Sequence, residues 1–285
     1  MKLRNLVTGT VAVMALGSSG LAVAQIDGSP HDLGETVGGT AANGEVCVYC
    51  HTPHGAATTA TESAPLWNKG LPSGTAYTRY SSLGSATLDG EETAEIGSVS
   101  LACLSCHDGT QARDVVINAP GSFNYTASPG AAMGTLGTIA NAPIRNLQQD
   151  LTDDHPIGIE YAGGACTGLT LTAGTVTPCT PTAATGDGDF NTAQGTVING
   201  ADQYWVDVPA GTIGNDGVAI SATAQVRDKT DMILYTRAFP TTGTGPSVEC
   251  GSCHDPHEGT GNGIDVDFLR ISNVGSEVCL ACHIK

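Results

Sequence analysis

The chain has 285 residues and a formal net charge of −17, an acidity that argues against partners needing a basic face, such as nucleic acid or an anionic membrane surface. Charged residues make up 14% and aromatics 5%, against 38 glycines, which leaves an ordinary side-chain core thin for a chain of this length.

The first segment opens with Lys2 and Arg4, continues as an apolar run from Leu6 to Val23, and reaches Ala22-Val23-Ala24 before Gln25. A basic start, an apolar middle and a small-residue cleavage site describe a secretory signal peptide over residues 1–24. An uncleaved membrane anchor is the alternative, but Gly9, Gly17, Ser18, Ser19 and Gly20 suit a spanning helix poorly. No later stretch is long and apolar enough to span a bilayer. Removing the leader takes away two positive charges and no negative ones, and the acidity that remains suits the solubility of an exported protein.

Residues 25–161 carry the first two copies of a repeated motif. Residues 25–46 are polar and glycine-rich, with His31 their one metal-ligating side chain. Cys47-Val48-Tyr49-Cys50-His51 follows, and Thr52-Pro53-His54 extends it. Pro65-Leu66-Trp67-Asn68 reads as a packing anchor. Cys103-Leu104-Ser105-Cys106-His107 repeats the motif; residues 112–148 then read mostly as loop, with Asn124-Tyr125-Thr126 a weak match to a glycosylation acceptor. An acidic turn, Asp150-Leu151-Thr152-Asp153-Asp154-His155-Pro156, carries another spare histidine.

Residues 162–246 contain no histidine and many Thr and Gly. Alternating stretches at Gln203-Tyr204-Trp205-Val206-Asp207-Val208 and Val218-Ala219-Ile220-Ser221 predict short strands in a β-rich insertion. Cys166 and Cys179 lie at its start, and an oxidising compartment favours a disulfide between them over free thiols. Residues 247–285 hold Cys250-Gly251-Ser252-Cys253-His254, extended to His257, then Phe268-Leu269-Arg270 and Cys279-Leu280-Ala281-Cys282-His283.

C-x-x-C-H is the attachment signature of a c-type haem. The two thiols add across porphyrin vinyl groups and the histidine binds the iron. A zinc ribbon or a dithiol redox site also uses C-x-x-C, but neither needs the histidine that stands behind the second cysteine in all four copies. Four covalently bound haem c groups are therefore expected, as is a multihaem cytochrome c fold: mostly irregular coil with short helices around a stacked haem array, plus the β-rich insertion.

The chain has eight histidines. His51, His107, His254 and His283 belong to the motifs; His31, His54, His155 and His257 remain, one for the second axial position of each iron. Met133 and Met232 are the competing ligands, and neither lies in a recognisable ligand setting. His54 and His257 each follow a motif histidine by three residues, too few for the chain to fold back over the same ring. Each should reach a neighbouring haem, which draws haems close together. Irons closed on both faces relay electrons and catalyse nothing, so no enzyme activity is expected.

With these residues in view, the chain resembles the tetrahaem cytochromes that polymerise into extracellular nanowires, the outer-membrane cytochrome E type. The likeness rests on Cys47-to-Gly55, Pro65-to-Asn68, Cys103-to-Thr110, Asp150-to-Pro156, Cys250-to-His257 and Cys279-to-His283. It implies a head-to-tail homopolymer, secreted through the periplasm to the cell surface or beyond, that exchanges electrons with other redox cytochromes and extracellular acceptors. In that family one axial histidine crosses between subunits, and His31, ahead of every motif, is the expected crossing ligand. A monomeric periplasmic or surface shuttle is the runner-up. A multihaem reductase would need an iron with an open face.

Overall fold

The computed structural model describes residues 26–36, 46–58, 64, 66–119, 130–134, 136–140, 145–214, 227–257 and 268–284. The leader at 1–24, Pro65, the Asn124-Tyr125-Thr126 pattern and the alternating stretch 218–221 lie outside them.

Four short helices occur among these residues: α1 (Leu33–Thr36), α2 (Ser98–His107), α3 (Cys250–Cys253) and α4 (Glu277–Leu280). Two two-residue strands, β1 (Val115–Val116) and β2 (Ala131–Ala132), pair with each other. The dominant element is an antiparallel sheet of six strands: β3 (Ile159–Glu160), β4 (Thr177–Cys179), β5 (Ala193–Ile198), β6 (Ala201–Val206), β7 (Met232–Phe239) and β8 (Gly243–Val248). Its order is β3-β8-β7-β6-β5-β4.

This corrects the expected fold class. Irregular coil with short helices around a haem array is not what organises the chain; a hydrogen-bonded sheet is. Among the described residues no three His, Cys, Asp or Glu side chains gather into a group able to hold a metal ion. The physical reason lies in the turns. Asn199 and Gly200 both take positive φ, 52° and 79°, the geometry of a tight hairpin turn, and so bring β5 onto β6 in register from Ala193↔Val206 to Ile198↔Ala201. Gly243 (φ 112°) opens the return from β7 into β8. Nor is the sheet confined to residues 162–246: β3 precedes that stretch, and β8 runs on to within two residues of Cys250.

One face of the sheet packs a core of Tyr204, Val206, Met232 and Leu234 against Tyr161, Ile271 and Ala281, the last within the fourth motif. Cys166 and Cys179 form a disulfide with Cα atoms 5.7 Å apart, tying β4 to the turn after Tyr161. A second core of Tyr77, Ile96, Leu101, Leu104 and Leu151 surrounds α2.

Candidate functional site

The four Cys-x-x-Cys-His motifs share one local design. The His51 N–H bonds the Cys47 carbonyl at 2.8 Å, His254 bonds Cys250 at 3.1 Å and His283 bonds Cys279 at 2.9 Å. The second motif forms the last two turns of α2. A single helical turn puts residues i, i+3 and i+4 on one face, so each motif presents both sulfurs and the imidazole together. At the third motif the turn is set by a capping box: Glu249 accepts from the Ser252 backbone and the Ser252 side chain accepts from the Glu249 N–H.

The motifs neighbour one another in chain order. Cys50 and Cys106 lie within electrostatic reach of each other, the Cys103 thiol hydrogen-bonds Cys250, and Cys253 lies within reach of Cys279 and Cys282. None of the eight motif cysteines is in a disulfide. The first and second motifs are joined by the strap 66–69. Thr52 N–H bonds the Leu66 carbonyl, Asn68 N–H bonds the Cys50 carbonyl, and the Trp67 indole donates to Ser105 Oγ at 3.2 Å. Trp67 also stands edge-on to His51, with ring centroids 5.8 Å apart, where the sequence predicts a packing anchor.

Three spare histidines stand opposite three motif histidines. His257 faces His51 at 6.0 Å between ring centroids, His31 faces His107 at 6.2 Å, and His155 faces His283 at 6.4 Å. These separations lie at the wide end of ring contact. They fit a metal held between two imidazoles, since two metal–nitrogen bonds of about 2 Å plus a ring radius on each side span about 6 Å. His54 is not brought to any motif histidine: it is exposed, and its side chain makes no bond or ring contact among the described residues. His254 is exposed and lies within electrostatic reach of His31 and His107.

The polar surroundings orient these rings. His107 Nδ1 lies 2.8 Å from the Arg145 carbonyl, and His155 Nδ1 lies 3.0 Å from that of Pro156. His257 Nδ1 lies 3.2 Å from Asp255 Oδ1. Carbonyls and carboxylates only accept, so each Nδ1 carries the proton and Nε2 keeps its lone pair, the tautomer a metal-binding imidazole needs. Burial and then the adjacent His107 hold His31 down at about 4. Its Nδ1 is buried without a hydrogen-bond partner among the described residues, while Phe268 stacks on the ring at 4.1 Å. Burial also lowers His107 and His283.

The chain matches no protein-family model and no curated protein.

The residues present fit haem. An imidazole pair supplies two ligands on one axis, which suits a group that brings its own four equatorial nitrogens, and the orphaned His31 Nδ1 and the three gaps are consistent with that group. Met232 lies in the sheet core, fully buried. Sequence reasoning misses three contributors: Phe190, whose ring sits 4.3 Å from that of His283, Phe268 and the buried Lys69. None has a local signature, because each is recruited by a contact distant in sequence. Among the described residues no helix is long and apolar enough to cross a membrane.

Proposed function

We propose that this chain is an exported tetrahaem c-type cytochrome that relays electrons through closely spaced bis-histidine haems, polymerised into an extracellular filament of the nanowire kind. The observation that carries the reading is the set of three histidine pairs at 6.0, 6.2 and 6.4 Å, each joining a motif histidine to a spare one.

Bound there, haem supplies one-electron oxidation and reduction at iron. The chain's part is attachment and closure. Each Cys-x-x-Cys pair would hold a haem through two thioethers, formed by addition of the two S–H bonds across its vinyl groups with no net oxidation. His51 with His257, His107 with His31, and His283 with His155 would hold three of the irons on both faces. Asp255, Arg145 and Pro156 keep the ligand tautomers through Nδ1. With both imidazoles of a pair bound, those three irons would have no position left for substrate, which supports a relay over a reductase.

The pairing revises which histidine would cross between subunits. His31 stands beside His107 of its own chain, so the spare ring that remains is His54, exposed on the first motif. The three pairs take His51, His107 and His283, and count His54 toward the haem on His254 of a second copy.

Intact mass and low-temperature electron paramagnetic resonance of the protein exported by its native host test the reading. Four attached haems, all low-spin in the assembled form, are expected. Fewer than four haems, or zinc in their place, overturns it.

A further inference from the structure

We propose that Lys69 biases the haem array: its buried ammonium, seated between the first and second motifs, favours reduction of the haems on His51 and His107 over those on His254 and His283. The inference rests on the cytochrome reading above.

Lys69 is 1% exposed, an unusual place for a lysine. Its Nζ donates to the carbonyls of Ala112 at 3.1 Å, Arg113 at 2.9 Å and Val115 at 2.6 Å. That uses all three N–H bonds of an ammonium, and three facing carbonyls favour the protonated form, since an amine lone pair would be turned against one of them. The strap sets its position. Asn68, one residue before, is bonded to Cys50, and Trp67 reaches Ser105 within the second motif. Cys106, Cys50 and the Asp114 carboxylate lie within its electrostatic reach.

The third motif is different. Its cations are matched by carboxylates: Arg237 pairs with Glu249 at 3.1 Å, and Arg270 approaches Asp255 at 3.5 Å. At Lys69 the hydrogen-bond partners are three neutral carbonyls, and the Asp114 carboxylate lies within electrostatic reach without bonding Nζ among the described residues. A positive charge beside an iron stabilises the state that has gained an electron, and low-dielectric surroundings strengthen that effect. Two cations neutralised locally and one left with its charge give the array an uneven field.

The test is Lys69→Met in the full-length, haem-loaded protein, read by spectroelectrochemical titration with intact mass as control. Two of the four haems are expected to become harder to reduce, each by about tenfold in oxidised-to-reduced ratio at fixed potential, or about 59 mV for a one-electron couple. Four haems with a titration superimposable on the native one, or with all four shifted equally, overturns the proposal. If the variant does not assemble, the native protein decides it. At partial reduction the haem-methyl signals near Trp67 and its neighbour on His107 should change first, and any other order overturns the assignment. A chain without haem sinks the cytochrome reading itself, whereas four haems with unmoved potentials sinks this inference alone.

Discussion

The ring of His257 stands 6.0 Å from that of His51, with the two planes 14° apart, so the tail of the third motif faces the histidine of the first. A three-residue spacer explains why His257 does not serve its own motif, and Asp255 explains its orientation. One Asp255 oxygen accepts a hydrogen bond from His257 Nδ1 while the other approaches Arg270. Burial works against the Asp255 charge, but the bonds from His257 and the nearby Arg270 outweigh it and hold the carboxyl down at about 2.

Removing this ring should open one iron. In His257→Ala one high-spin signal is expected in the oxidised protein beside the remaining low-spin ones, and added imidazole should restore the native spectrum. His257→Met should instead raise one potential, since a thioether ligand favours the reduced iron. An unchanged spectrum in His257→Ala would place the second ligand elsewhere.

His54 gives a separate test, because among the described residues its side chain has no partner to lose. His54→Ala is expected to leave folding and haem content intact but to abolish filaments, seen by electron microscopy, and to leave one iron per chain with an exchangeable ligand. Filaments of normal length in this variant would return the crossing role to another residue.

The disulfide should act on stability and not on haem content. Cys166 and Cys179 close a loop of 13 residues, for which loop-closure entropy gives about 3 kcal/mol. Cys166→Ser should lower the thermal midpoint with four haems still attached, and reductant should bring the native protein down to the variant. Equal midpoints with and without reductant would mean the bridge contributes nothing.

Asp231 carries a pH dependence of its own. Burial pushes its carboxyl up to about 6, against the N–H bonds from Asp228 and Val208. A folded value above the ordinary 3.8 means the folded chain binds the proton more tightly than the unfolded one. Stability from this group is therefore present at low pH and lost as pH rises from about 4 through 6. Asp231→Asn removes that slope, so the native-minus-variant gap in denaturation midpoint should shrink across this window. A constant gap would show that Asp231 does not titrate there.

Legibility in the sequence followed the range of the interaction. The four motifs and the eight histidines are local patterns, readable from spacing. So is the cysteine pair left after the motifs are counted. Strand β6 is foreshadowed by the alternation at 203–206, whereas β3 is only Ile159 and Glu160, too short to signal anything before Val248 and Ser247 pair with it. The expectation of coil around a haem array underweighted backbone pairing, which Thr- and Gly-rich strands achieve with little side-chain hydrophobicity. His31 reads as a free arm ahead of the motifs, yet Phe268, far away in sequence, stacks on it. Lys69 carries no signal in the sequence, because three carbonyls some forty residues downstream cannot be seen from its neighbours.

The way each end of the relay is mounted has a mechanical consequence. Strand β8 passes directly into the Glu249 cap and Cys250, so the third motif is bolted to a plate of paired strands. The first hangs from the short 66–69 strap and a few bonds. On the proposed cytochrome reading, shear should slacken the first motif at its strap before the sheet-borne third motif gives way.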